Sequence, residues 1–337
     1  MNDVKDNFRR AIDYIRVSVT DRCNLRCIYC MPPGGLVPIE HKEILSYEEI
    51  VRLLEVAARI GLRKIRITGG EPLVRKNVPD LIRLIKYIEG IEDLSLTTNG
   101  ILLRQYADLL AEAGLNRVNI SLDSLRPDRY RDITRGGNVE EVFRGIAAAE
   151  KAGLTPIKIN MVPVRGINDD EIADFALMTM KSPYQVRFIE FMPFSVPGVW
   201  TSEKFISSEE AASIVEKIGR LIPAKLRKAG PARYFRLDGA AGVIGFISPL
   251  SNHFCNECNR LRLTTDGKLR PCLFSETEID LKSVLRSGAP DEEVERLIRL
   301  SIALKPRGHN MKMQSAGLRK HADNKKFCMK PMSRIGG

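Results

Sequence analysis

Between residues 14 and 191, six short β-type stretches are separated by segments of helical period, and the first five of them alternate apolar and polar positions with a period of two. The stretches are residues 14–19, 63–67, 93–97, 117–122, 157–162 and 186–191. Strands alternating with helices predict βα units and a parallel sheet. The helices carry their own start and stop signals. Ser46-Tyr47-Glu48-Glu49 reads as a capping box, Asn138-Val139-Glu140-Glu141 begins another helix, and Gly61, Gly114 and Gly153 stand where helices end.

A parallel strand covered on both faces ordinarily reads as a continuous apolar run, but here every second position is polar. Arg16, Ser18 and Thr20 alternate with Ile15, Val17 and Val19; Lys64, Arg66 and Thr68 alternate with Ile65 and Ile67. Ser95 and Thr97, then Asn119, Ser121 and Asp123, then Lys158 and Asn160 continue the polar set. In a barrel with helices outside, the apolar set meets the helices and the polar set faces the lumen. Six units are too few to close an eight-stranded ring. The predicted fold is therefore α/β, a partial, open TIM-type β/α barrel over residues 1–222. The alternative, a solvent-facing antiparallel sheet, also alternates but needs only short turns between strands. Arg16, Arg66 and Lys158 would be costly to bury in a lumen without a counter-charge, and an anionic substrate would supply one.

Near Pro223 the pattern changes. Residues 233–237 and 243–247 read as a hairpin, 261–265 and 268–271 as a second hairpin across Asp266-Gly267, and 276–286 and 291–303 as helices. A smaller α+β region, residues 223–337, is expected to close the open barrel.

Seven cysteines, six of them in two triplets, speak for metal ligation rather than a disulfide framework. Cys23, Cys27 and Cys30 offer three soft thiolates without a fourth cysteine nearby. An iron–sulfur cluster with one open iron fits that set better than tetrahedral zinc. Cys255, Cys258 and Cys272 repeat the offer; zinc completed by His253 or water is the alternative there. Cys328 has no partner motif. The net charge of +11 is concentrated in residues 305–337, where nine Lys/Arg face the single acid Asp323. Such a tail suits nucleic acid, a phosphorylated small molecule or simply solvent. No run of 18 apolar residues and no signal peptide is present, which predicts a cytoplasmic protein with no membrane partner.

The remaining chemistry lies at strand ends. Gly69-Gly70-Glu71-Pro72 follows the second strand, where the glycines allow close backbone approach and Glu71 can accept from an ammonium group. Thr97-Thr98-Asn99-Gly100, Ser121-Leu122-Asp123 and Glu190-Phe191-Met192-Pro193 end three others. Arg260 and Arg262, just after Cys258, bring two phosphate-binding forks beside the second triplet.

The CxxxCxxC loop followed by Gly69-Gly70-Glu71-Pro72 resembles the radical S-adenosylmethionine (SAM) superfamily. With Asp13-Tyr14-Ile15-Arg16-Val17-Ser18, Asn119-Ile120-Ser121-Leu122-Asp123, the second triplet, Arg260-Leu261-Arg262 and the terminal Gly336-Gly337, essentially the whole chain resembles the GTP 3′,8-cyclase family. That resemblance implies two [4Fe–4S] clusters, one on Cys23, Cys27 and Cys30 with SAM on its open iron, the other on Cys255, Cys258 and Cys272 meeting the guanine ring. It implies SAM contacts from Tyr29, Gly70, Glu71, Ser121 and Met192. It implies GTP contacts from Arg16, Arg66, Thr97, Lys158, Arg260, Leu261 and Arg262, with Arg260 and Arg262 catalytic, and a double-glycine tail inserted toward the active site. The implied reaction opens molybdenum cofactor biosynthesis: a 5′-deoxyadenosyl radical takes the ribose 3′ hydrogen, and C3′ then attacks C8 to give (8S)-3′,8-cyclo-7,8-dihydroguanosine 5′-triphosphate. A reduced electron donor, a downstream cyclic pyranopterin monophosphate synthase and a monomer or homodimer complete the expectation. The rivals are a radical SAM peptide- or RNA-modifying enzyme with an auxiliary cluster, and a zinc-binding nucleic-acid protein.

Overall fold

In the computed structural model the six β-type stretches become the strands β1 (Tyr14–Ser18), β2 (Lys64–Thr68), β3 (Asp93–Thr98), β4 (Arg117–Ser121), β5 (Lys158–Met161) and β6 (Gln185–Ile189). The structure describes residues 4–194, 199–226, 230–309, 311–314, 317–319 and 331–336. Cys328, Gly337, Asp323 and the basic positions 320, 325, 326 and 330 of the tail lie outside them. Between the strands run α1 (Tyr47–Arg59), α2 (Val78–Lys86), α3 (Leu103–Glu112), α4 (Pro127–Thr134), α5 (Val139–Lys151) and α6 (Ile172–Lys181), and α7 (Ser208–Glu216) follows β6. Each of β1 to β6 pairs parallel with the next.

The alternation resolves as the pattern requires. Ile15, Val17, Ile65, Ile67, Leu94, Leu96, Val118 and Ile120 are fully buried in one core with Leu53, Ile82, Leu110 and Ile146 from the helices. Ser46 caps α1 with both halves of the capping box formed, and Asn138 caps α5. Gly61, Gly114 and Gly153 all take positive φ just beyond a helix.

The C-terminal region extends the open barrel sheet at both of its edges. The strands β7 (Leu221–Ala224), β8 (Arg233–Leu237) and β9 (Val243–Ile247) extend one edge, with β9 parallel to β6. The strands β10 (Arg260–Leu263), β11 (Lys268–Arg270) and β12 (Ile279–Asp280) extend the other, with β10 parallel to β1. One twelve-stranded sheet results, ordered β12-β11-β10-β1-β2-β3-β4-β5-β6-β9-β8-β7. A six-strand fragment leaves two rows of unpaired backbone groups, and hairpins from the same chain satisfy both. The first half of the helix expected at 276–286 is instead β12: Ile279 pairs with Leu269, and Asp280 accepts from Ser283 N at 3.0 Å, so α8 (Lys282–Arg286) begins later. Then come α9 (Asp291–Ala303), the small hairpin β13 (Lys312–Gln314) and β14 (Gly317–Arg319), and α10 (Met332–Ile335).

Gly145 of α5 packs closely, since an added Cβ would lie 2.5 Å from the Gly100 carbonyl oxygen and 3.1 Å from Leu103 Cβ. Alanine is the better helix former by about 1 kcal/mol, yet Gly145→Ala is expected to lower the midpoint of urea unfolding. An unchanged or raised midpoint would contradict this close approach.

Candidate active site

At the C-terminal end of β1 the chain runs through Thr20 and Asp21 into the first cysteine loop, and the end of β2 packs against it. Gly70 N donates to Thr20 O at 2.6 Å and Glu71 N to Arg22 O at 2.8 Å. A Cβ on Gly70 would fall 2.3 Å from Arg22 O, and one on Gly69 2.6 Å from Thr20 O. Backbone-to-backbone contact thus demands both glycines, and it braces the thiol loop. Glu71 is buried behind this contact. Its carboxylate accepts from Leu73 N at 3.1 Å, Thr98 Oγ1 at 2.8 Å and Asn99 N at 2.7 Å, and burial raises its pKa to about 7. Asn99 in turn reaches Asn24 Oδ1 at 2.8 Å. Glu71 therefore ties β3 to the cysteine loop, and its carboxylate is committed to protein donors.

The first three thiols lie in a setting that resists ionisation. Burial pushes Cys23 up to about 11 and Cys30 up to about 12, and raises Cys27 well above its ordinary value. Only weak donors reach Cys23 Sγ, Leu25 N at 3.4 Å and Asn99 Nδ2 at 3.8 Å. Bound iron is the kind of charge that would hold such a soft donor set as thiolates. Among the described residues no three His, Cys, Asp or Glu side chains converge as ligands of a single ion. Ligands of different irons in one cluster need no such convergence. Beside the loop, the Tyr29 hydroxyl donates to Asp123 Oδ2, Asp123 Oδ1 accepts from Val162 N at 2.9 Å, and the Tyr29 ring meets Phe191 edge-on at 6.2 Å. Burial raises Asp123 to about 6 and Tyr29 well above its usual range.

All six of these cysteines border one cavity of about 440 Å³. At the second triplet, burial opposes ionisation of Cys258, but Arg260 and Lys305 outweigh it and bring the thiol down to about 6. Burial raises Cys255. His253, the sequence-level candidate for a zinc ligand, packs edge-on against His309 at 5.0 Å. The His309 ring is fixed by Pro249 O at 2.8 Å on Nε2 and by Met311 N at 3.2 Å on Nδ1.

Between the triplets the register assembles positive charge. Arg16 on β1 is the Cα partner of both Arg66 on β2 and Arg262 on β10, so three arginines stand side by side on adjacent parallel strands. All three line the cavity. Burial and the neighbouring guanidiniums lower Arg16 well below its ordinary value, Arg66 to about 10 and Arg262 to about 9. Arg16 Nε is buried without a hydrogen-bond partner. Lys158, 5% exposed, is pulled down to about 6 by burial and by Arg187, Arg117 and Arg66. Thr97, Ser121, Met192 and Gly70 also line the cavity.

Leu261 differs: alternation along β10 turns its side chain into the core, between the two cavity-facing arginines, leaving only its backbone for a ligand. Arg187 was not singled out in the sequence, although its parity on β6 carries the signal: it is the register partner of Asn160, lines the cavity and is 4% exposed. Its Nη2 donates to Asn119 Oδ1 at 2.8 Å. The chain end also enters here. Arg262 Nη1 donates to Gly336 O, and Gly336, with φ +74°, would place a Cβ 3.1 Å from Thr68 Oγ1.

A model of the radical SAM superfamily matches residues 17–178, and one described as Molybdenum Cofactor Synthesis C matches residues 184–311. The GTP 3′,8-cyclase of Thermodesulfovibrio yellowstonii is 54% identical over 336 residues, covering 99% of this chain and 100% of that one. The GTP 3′,8-cyclase of Alkaliphilus metalliredigens is 48% identical over 334 residues, covering 99% and 100%. Among solved structures, Streptococcus suis SuiB bound to S-adenosylmethionine shares the fold, with a TM-score of 0.58 and 15% identity over 85% of this chain and 67% of that one.

Lys158 makes the cavity's charge state measurable. Its pKa is about 6 in the folded chain and 10.5 in the reference state. The unfolded chain therefore binds the extra proton between those values, and stability rises with pH across that window. A polyanion beside Lys158 reverses the shift. Inorganic triphosphate at pH 7.5 is expected to draw about one more proton into the wild-type protein than into Lys158→Met, because ligation restores the charged form. Calorimetry in buffers of different ionisation enthalpy reads this difference, and equal uptake would remove Lys158 from the anion site.

Proposed function

The chain belongs to the GTP 3′,8-cyclase family of the radical SAM superfamily, and we propose that its cavity cyclises GTP between the two thiol triplets. The product is (8S)-3′,8-cyclo-7,8-dihydroguanosine 5′-triphosphate, formed by a bond from ribose C3′ to guanine C8 in the first step of molybdenum cofactor biosynthesis. One observation carries this reading: a single cavity has three cysteines at each of two places and the Arg262–Arg16–Arg66 row in register within it.

A [4Fe–4S] cluster on Cys23, Cys27 and Cys30, with SAM on its open iron, supplies a carbon radical when bound. Around that loop, Tyr29, Gly70, Ser121 and Met192 are placed to hold SAM, while Glu71 acts through Asn99 and the loop backbone. Arg16, Arg66 and Lys158, joined by Arg187, donate to the triphosphate oxygens and recover the charge that burial penalises; Thr97 adds a hydroxyl. Arg260 and Arg262 act at the reacting nucleotide. Cys255, Cys258 and Cys272 would hold a second [4Fe–4S] cluster, which would bind the purine end of the nucleotide. Fixing the nucleotide at both ends brings C3′ and C8 together and lowers the entropic part of the barrier, and the buried lumen keeps water from the radical. Residues 1–222 form the radical-generating half, and 223–337 bring the second thiol set.

The reading carries with it a reduced electron donor, a cyclic pyranopterin monophosphate synthase that takes the product, a cytoplasmic site of action and a monomer or homodimer. Among the described residues no helix is long and apolar enough to cross a membrane.

The deciding assay incubates reduced, iron-loaded protein with SAM and GTP, and follows 5′-deoxyadenosine together with GTP consumption. Turnover on a peptide or RNA with GTP untouched would favour the rival. Arg16→Ala is expected to reduce kcat/KM roughly 10- to 150-fold, the equivalent of ~1.5–3 kcal/mol for a hydrogen bond to a charged group, with iron content unchanged. Iron analysis should find about eight irons per chain, falling to about four when Cys255, Cys258 and Cys272 are replaced by Ala. Four irons in both proteins would remove the second cluster.

A further inference from the structure

Two buried cations hold the loops of the second thiol triplet, and they differ in one respect. Arg10, 8% exposed, donates from Nη1 to Cys255 O at 2.6 Å and to Arg307 O at 3.1 Å, and from Nη2 to Pro306 O at 2.7 Å. Its charge is matched, because Nε meets the fully buried Asp6 carboxylate at 2.6 Å. Lys305 is 3% exposed and borders the cavity. Its ammonium donates to Arg260 O and to Pro271 O, each at 2.7 Å. Those carbonyls flank two thiols, one two residues after Cys258 and one immediately before Cys272. Among the described residues no carboxylate lies within ion-pair distance of Lys305; the groups acting on its charge are the Cys258 and Cys272 thiols, which favour it, and the cations Arg260 and Arg10, which oppose it.

Burial disfavours the charged form of an ammonium held only by carbonyls, so an anion close by is what keeps it charged. Three thiolates around an iron–sulfur core form such an anion, and one-electron reduction adds a further negative charge. Resting on the second-cluster reading above, we propose that Lys305 is the positioning residue of that cluster. It locks the Cys258 and Cys272 loops to each other, and its unmatched charge favours the cluster's reduced state. Arg10 does the mechanical part of this task at Cys255, with its charge already neutralised by Asp6.

The test uses the full-length, iron-loaded protein, with Lys305→Met removing the charge at similar bulk and Lys305→Arg restoring it. Iron per chain is measured together with a potentiometric titration followed by electron paramagnetic resonance; the signal that does not respond to SAM reports the second cluster. In Lys305→Met the reduced-to-oxidised ratio at a fixed poise is expected to fall about tenfold, equivalent to a downward shift of ~59 mV for one electron, with Lys305→Arg close to wild type. Two clusters and an unmoved potential in Lys305→Met would overturn the proposal. If Lys305→Met loses its second cluster, retention in Lys305→Arg supports the charge, and equal loss in both overturns it in favour of packing alone. A wild-type protein with about four irons and no SAM-insensitive signal would instead refute the two-cluster reading on which the proposal rests.

Discussion

Like charges set side by side in a buried lumen repel, and each has also lost its water. Arg262, Arg16 and Arg66 are placed in this way by strand register, with Lys158 and Arg187 facing the same space. The hydrophobic core outside the barrel must be strong enough to impose the arrangement, since the cations themselves oppose it. The reward comes when a polyanion enters. On the proposed reading its phosphates would meet guanidinium forks in surroundings where charge–charge attraction is weakly screened. Affinity for substrate and instability of the empty lumen are two expressions of one electrostatic term.

The same economy governs the thiols. Buried Cys23, Cys27 and Cys30 have no cation strong enough to ionise them, whereas Cys258 lies beside Arg260 and Lys305 and ionises readily. The two ends of the cavity therefore differ in charge environment before anything binds. At the end braced by Gly69 and Gly70 burial dominates the thiols, and at the end reached by β10 Arg260 and Lys305 outweigh it at Cys258. A nucleotide drawn toward the second end leaves the first for a cofactor with its own charged groups.

Rigidity in this site is built from backbone contacts. Gly70 touches the carbonyls before Cys23, Glu71 ties β3 to that loop, and Lys305 and Arg10 fasten carbonyls beside Cys258, Cys272 and Cys255. Few of these groups need to meet a ligand. They hold in place the residues that do, which is what chemistry requiring a fixed distance between two atoms of one substrate demands.

Much of this was legible in the sequence, because it depends on local periods and spacings. Alternation alone assigned Arg16, Arg66 and Lys158 to one face, the CxxxCxxC and CxxC spacings marked both thiol sets, and helix caps at Ser46 and Asn138 formed as read. The same parity applied to β6 points to Arg187. What only the tertiary structure decided is which distant segments became neighbours. That β10 adds beside β1, aligning Arg262 with Arg16, depends on satisfying a sheet edge about 240 residues earlier in the chain, and no local period encodes that pairing. Nor does a period reveal that Glu71 turns to Asn99, that Leu261 faces the core between two site arginines, or that Lys305 is buried against carbonyls without an acid. Period and propensity are properties of neighbouring residues, whereas burial and register follow from long-range packing, and the site's electrostatics arise from the second.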